Sequence, residues 1–251
     1  MSKQPDAQLL RDITHSLPDG TEREVLERVA AQLESDARRY ADSEKLQDIG
    51  RGAMESIADM VAALECDYDR LGELQCADEG TEVNVTPHDS EPGKGLTYGR
   101  HVGLTLTESA RIGSSAGMDV VDLVDVHGNE MSVYAISLEY ADADLNTELA
   151  ELEQAAGDCE SEEDARQRIS EDPLSIELSG TWSIGEDPTA DRALILLGTG
   201  GPAVRIVCGL DDGEPTRAWV QAQDWGTPWT DYVGGDGETL LTYCRCFYFG
   251  E

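Results

Sequence analysis

Apolar residues recur at three- and four-residue steps through the first third of the chain. In "EREVLERVAAQLESDARRYA" (22–41), Val25, Leu26, Val29 and Leu33 share one helical face, with Asp19 or Thr21 placed to cap it. A second, longer periodic run, "SEKLQDIGRGAMESIADMVAALECDYDRLGELQCA" (43–77), keeps Leu46, Ile49, Ala53, Ile57, Met60, Val61, Leu64, Tyr68, Leu71 and Leu74 in the same step. Ser43 is its N-cap candidate and "DEG" at 78–80 its end. Two amphipathic helices must bury their stripes, so the pattern predicts an antiparallel helical pair over 1–80.

After residue 80 the period changes. "TEVNVTPHDSEPGKGLTY" (81–98) is rich in Pro, Gly and turn formers and reads as a linker. Strand-like runs follow in "HVGLTLT" (101–107), "DVVDLVDVH" (119–127) and "MSVYAISLEY" (131–140), with His127–Glu130 as the turn between the last two. The C-terminal part reads as an antiparallel meander: "LSIELSGTWSI", "RALILLG", "AVRIVCGL" and "TRAWVQAQ", then a loop "DWGTPWTDYVGGDGE" and a final strand "TLLTYCRCFYF".

Between these β segments, 139–172 returns to helical spacing. Leu145, Leu149, Leu152 and Ala156 make one stripe, and "SEED" at 161–164 has the form of a capping box before Pro173. The expected class is therefore α+β. Its parts are a helical region at 1–80, a linker and β segment at 81–138, an acidic helical insert at 139–172, and an antiparallel β domain at 173–251.

Charge changes this picture most. The net charge is −34, from 52 acids against 18 bases, and only Lys3, Lys45 and Lys94 are lysines. The acids are focal: 136–191 holds 17 of them against two arginines, whereas 192–251 holds eight against four. A negative field of that size opposes direct contact with nucleic acid or anionic membranes and attracts basic protein surfaces. Asp144, Glu148 and Glu151 fall on one helical row whose members lie about 5–6 Å apart, near the roughly 6–7 Å between phosphates of a nucleic-acid strand. The acids proposed as a presented surface are Asp142, Asp144, Glu148, Glu151, Glu153, Asp158, Glu160, Glu162, Glu163 and Asp164. Halophilic adaptation and simple solvation are the competing accounts of the charge.

Candidate chemistry adds little. Six cysteines fit free thiols in a cytoplasmic protein, with Cys244 and Cys246 on one face of the final strand. The start lacks a signal-peptide pattern, and no apolar run approaches a membrane span. "GTGGP" (198–202) is a turn between strands, without the following helix that a phosphate loop needs. Asp119, Asp122, Asp125 and His127 form the one carboxylate–imidazole cluster, and an enzyme acting on a small substrate would be built there or at Asp224. No nucleophile or metal motif is present, so no cofactor is expected and catalysis is not the leading reading. Trp225 and Trp229, in "DWGTPW", read either as caps on the sheet edge or as rigid aromatic contacts for a partner.

Two stretches, "MVAALECDYDRLGEL" (60–74) and the run from "EDPLSIELSGTW" through "DWGTPWTDY" to "FYFGE", resemble acidic proteins carried by phages, plasmids and integrative elements of GC-rich bacteria. The resemblance implies a setting more than an activity. By analogy with DNA-mimicking anti-restriction and anti-CRISPR proteins of mobile elements, it implies a non-enzymatic inhibitor whose partner is a basic nucleic-acid-binding protein of a host defence system. A scaffold that dimerises through its N-terminal helices is the alternative binding role.

Overall fold

The structure is a computed structural model describing residues 21–87, 100–180, 190–225 and 227–250; the side chains of 21–23, 37–41 and 114–119 are not described. Asp19, His15, His88, most of the 81–98 linker and Trp182 thus lie outside the described residues. The fold is α+β with a C-terminal antiparallel sheet. The chain divides into two compact units: Asp59–Arg168 form one, and the residues on either side form the other.

The two predicted N-terminal helices are one. Helix α1 (Thr21–Leu64) runs unbroken through Asp42 and Ser43, which carry cap chemistry but no Gly or Pro to stop the helix. The break comes instead at Glu65–Asp67. There Asp67 accepts the Arg70 N–H at 3.0 Å and starts a short helix α2 (Tyr68–Leu74), while Tyr68 Oη donates to the Ala63 carbonyl at 2.9 Å.

In the unit formed by 59–168, strands β2 (Glu82–Pro87), β3 (His101–Leu106), β5 (Gly113–Val124) and β6 (Glu130–Tyr140) close into an antiparallel barrel in the order β2-β3-β5-β6. β1 (Cys76–Ala77) and β4 (Ala110–Arg111) pair beside it. The start of the expected linker is thus the first barrel strand. Val83, Val85, Leu104, Leu106, Leu123 and Val133 fill the interior with α2's Leu71 and Leu74. Along β6 the inward positions change phase, from Val133 and Ala135 to Leu138 and Tyr140, where the pairing with β2 slips by a residue. Helices α3 (Ala143–Ala156) and α4 (Glu162–Glu171) follow.

The other unit carries a meander of β7 (Ser175–Ser179), β8 (Arg192–Gly198), β9 (Ala203–Asp211), β10 (Glu214–Gln223) and β11 (Thr230–Asp231), ordered as in sequence. One face is apolar and buried: Ala193, Ile195, Ile206, Cys208, Val220 and Ala222. The expected final strand is helix α5 (Gly237–Cys244), packed on β10. Asp236 caps it, accepting Glu238 N–H at 3.1 Å and Thr239 Oγ1 at 2.8 Å, and Leu240, Leu241, Tyr243 and Cys244 bury one helical face. The period-two alternation of Tyr243, Arg245 and Phe247 misled because it straddles the helix end. Cys244 and Cys246 consequently do not share a strand face; Cys244 is buried and its thiol meets Cys208, and all six cysteines are free.

Candidate partner-binding surface

The acidic hairpin α3–α4 is built onto the barrel unit from β6. Asn146 closes the entry: its Oδ1 accepts Tyr140 N–H at 2.9 Å, and its amide donates to the Tyr140 carbonyl at 2.8 Å. Asp142 is the N-cap, accepting Asp144 N–H at 2.9 Å. Leu149 and Ala156 are buried and Leu145 and Leu152 pack beside them in the barrel core, as the stripe predicted. Cys159, in the turn, is buried with Ala63 and Ala165. Ser161 Oγ accepts Asp164 N–H at 3.2 Å, the first arm of the expected capping box, while the Asp164 carboxylate reaches back one residue further and accepts Glu160 N–H at 3.2 Å instead of that of Ser161.

The predicted acids divide by role. Asp142 and Asp164 are caps, and Glu162 accepts from Arg166 at 2.7 Å. Glu148 is clasped by Arg70 of α2 through bonds of 2.7 and 3.0 Å, and that guanidinium holds its carboxyl below the usual range. Asp144, Glu151, Glu153, Asp158, Glu160 and Glu163 are exposed, with no cation paired to them among the described residues. At about 100° per residue, Asp144, Glu148 and Glu151 run along the flank of α3 turned to α2, and the outermost positions are Thr147, Ala150 and Gln154. The row is therefore a lateral one, with its middle carboxylate neutralised. The Arg70 contact spans 78 positions, and nothing in local spacing signals it.

The other candidates are placed separately. Trp225 is 79% exposed, and its indole lies so close over Gly201 that a Cβ there would clash with Nε1. Trp229 is half-buried under the Arg205 guanidinium, 4.2 Å from the ring centroid. Asp224 ion-pairs with Lys45 of α1, which holds its carboxyl low, while Thr227 N–H and Oγ1 donate to the Asp224 carbonyl at 2.8 and 2.7 Å. Its contacts are those of a turn held to a helix.

The carboxylate–imidazole cluster does not assemble on one strand face. β5 ends at Val124, and Asp125 folds the turn by accepting His127 N–H at 2.8 Å and Asn129 N–H and Nδ2 at 2.9 and 2.8 Å. Asn129's side chain leads the contacts that hold Asp125 low. Asp122 accepts from Ser132, and the Asp119 side chain lies outside the description. Among the described residues no group of three or more His, Cys, Asp or Glu is arranged to hold a metal ion, and no helix is long and apolar enough to cross a membrane. Comparison with protein-family models, curated proteins and solved structures returned no match.

Proposed function

We propose that the protein acts without catalysis, by presenting the α3–α4 hairpin to a basic nucleic-acid-binding groove of another protein and excluding the nucleic acid from it. The setting we propose, on the resemblance alone, is a mobile element's inhibition of a host defence complex in the cytoplasm of a bacterium. The observation that carries the reading is the hairpin's fixed base and its uncompensated carboxylates. Leu149, Ala156, Cys159 and Ala165 are buried under it, while Asp144, Glu151, Glu153, Asp158, Glu160 and Glu163 stay exposed and unpaired with any described cation. Fixed charges of one sign steer an oppositely charged groove and lose that attraction as salt shortens the Debye length from about 30 Å at 0.01 M to about 3 Å at 1 M.

The test is capture from a bacterial lysate at low and high salt, with Glu151, Glu153, Asp158 and Glu163 changed to Lys in the control. These four have no cap or ion pair to lose, so the variant keeps the fold while reversing the surface. Capture that is salt-sensitive and lost in the variant supports the reading; capture indifferent to the reversal sinks it.

One observation favours a second reading, self-association through α1. Val25 and Val29, a helical turn apart, are 49% and 43% exposed rather than buried as their stripe predicted. Sedimentation of Val25→Glu/Val29→Glu against the parent decides it: an unchanged mass removes this reading.

A further inference from the structure

The sheet face opposite α5 differs from the rest of this acidic chain. The register sets the residues of this face in cross-strand rows, of which the β9 members Val207 and Gly209 are buried and those of β8 and β10 reach the surface. The first row is Arg192, Gly209 and Arg217, across β8, β9 and β10. Next come Leu194, Val207 and Trp219, and then Leu196, Arg205 and Gln221. Successive rows are two residues apart, about 7 Å, so the Arg192/Arg217 row and Arg205 stand about 13 Å apart with an apolar row between them.

Three features mark the guanidiniums as held for a ligand. First, acids outnumber bases 52 to 18 in the chain, yet Arg192, Arg205 and Arg217 form no ion pair with any described residue. Second, two of them, Arg205 and Arg217, are positioned by neutral groups. Arg205 lies 4.2 Å over Trp229 and donates Nε to Gln221 at 2.8 Å; Arg217 lies 5.6 Å from the Trp219 centroid and rests on Gly209, where a Cβ would meet its Nε at 2.7 Å. Third, the nearby carboxylate of Asp231 is already occupied, accepting from Trp219 Nε1 at 3.1 Å and from Gln221 Nε2 at 2.7 Å. Glu177 faces the same side from β7, in the row of Leu194, and attracts Arg205 without forming an ion pair with it.

From these rows we infer that the outer face of the C-terminal sheet is a docking site for an acidic polypeptide segment in which two carboxylates flank an apolar residue. An extended segment with acid, apolar and acid side chains at alternate positions repeats about every 7 Å on one face, which matches the row spacing. Its carboxylates meet the guanidiniums as bidentate pairs, and its apolar side chain meets Leu194 and Trp219. A nucleic-acid strand fits less well. Its phosphates recur at roughly 6–7 Å without a gap for the apolar row, and the indoles of Trp219 and Trp229 hold guanidiniums instead of offering both faces to bases. This site stands in the other unit from the acidic hairpin and does not depend on that reading.

The probe is a blocked, fluorescent peptide in which Glu, Leu and Glu alternate with Ser, read by anisotropy against the full-length protein. We expect saturable binding that weakens with salt and disappears when the peptide's Glu residues are replaced by Gln. Arg205→Gln and Arg217→Gln each weaken it by roughly tenfold, the worth of a charged hydrogen bond, whereas the Lys-substituted hairpin leaves it at least as tight. The Gln peptide tests charge without altering the protein, so a folding defect in an Arg variant does not decide the outcome. No saturable binding, equal binding of the Gln peptide, indifference to both Arg substitutions, or tighter binding of an oligodeoxythymidylate each overturns the inference; the last assigns the face to nucleic acid.

Discussion

Gly50 and Gly52 sit two residues apart in α1 and have opposite roles. A Cβ at Gly50 would lie 2.6 Å from Tyr232 Cβ, while at Gly52 it would meet nothing within 4 Å. Gly50 is the point where the helix meets the loop after β11, fixed on either side by Gln47, which donates to the Asp231 carbonyl at 3.0 Å and accepts Val233 N–H at 2.9 Å. Gly50→Ala should therefore destabilise by about 1–3 kcal/mol through overpacking, and Gly52→Ala should stabilise by up to about 1 kcal/mol through helix propensity. Denaturant midpoints of the two variants check both signs. Titration acts at the same scale. Glu148, Asp125, Asp224 and Asp236 are all held below the usual carboxylate range by hydrogen bonds, so each stabilises the fold above its unfolded pKa of about 4 and loses that contribution as pH falls through its folded value. Thermal melts of Glu148→Gln should start lower at neutral pH and fall less steeply in acid; a parallel fall would deny Glu148 this role.

Elements were legible where one face is buried and the other wet. β8 and β10 alternate as written, whereas β9 is buried at every position from Ile206 to Leu210, and α3 shows its Leu145–Ala156 stripe because the barrel core takes that face. α5 was hidden because four closely spaced buried residues, Leu240 to Cys244, precede an alternating tail. The α1 break was hidden because cap residues such as Ser43 are neutral inside a helix when nothing there competes with its backbone bonds. α3's attachment is the element-level claim on which the functional reading depends. Leu149, 5% exposed, should cost about 2–5 kcal/mol when changed to Ala. Hydrogen exchange should then quicken through 143–156 before it does in the β8–β10 sheet, and unchanged protection in α3 would show that the hairpin is not held by this contact.

For the whole molecule, composition gave the charge and its concentration, but not which acids are free. Caps and long-range pairs such as Arg70–Glu148 remove four of the ten predicted carboxylates from the presented set, and only tertiary structure reveals them. A net charge of −34 also repels itself. Raising ionic strength from about 0.01 M to about 0.15 M should lift the melting temperature, with most of the gain complete once the Debye length reaches about 8 Å. A melting temperature that keeps climbing steeply into molar salt would favour halophilic adaptation over a partner-directed surface. Whether the hairpin takes the place of nucleic acid is decided by competition on the protein captured from lysate. With that partner immobilised, duplex DNA or RNA and this protein should displace one another, and the Glu151, Glu153, Asp158 and Glu163 to Lys variant should displace nothing. Simultaneous binding of both, or displacement undiminished in the variant, would contradict it.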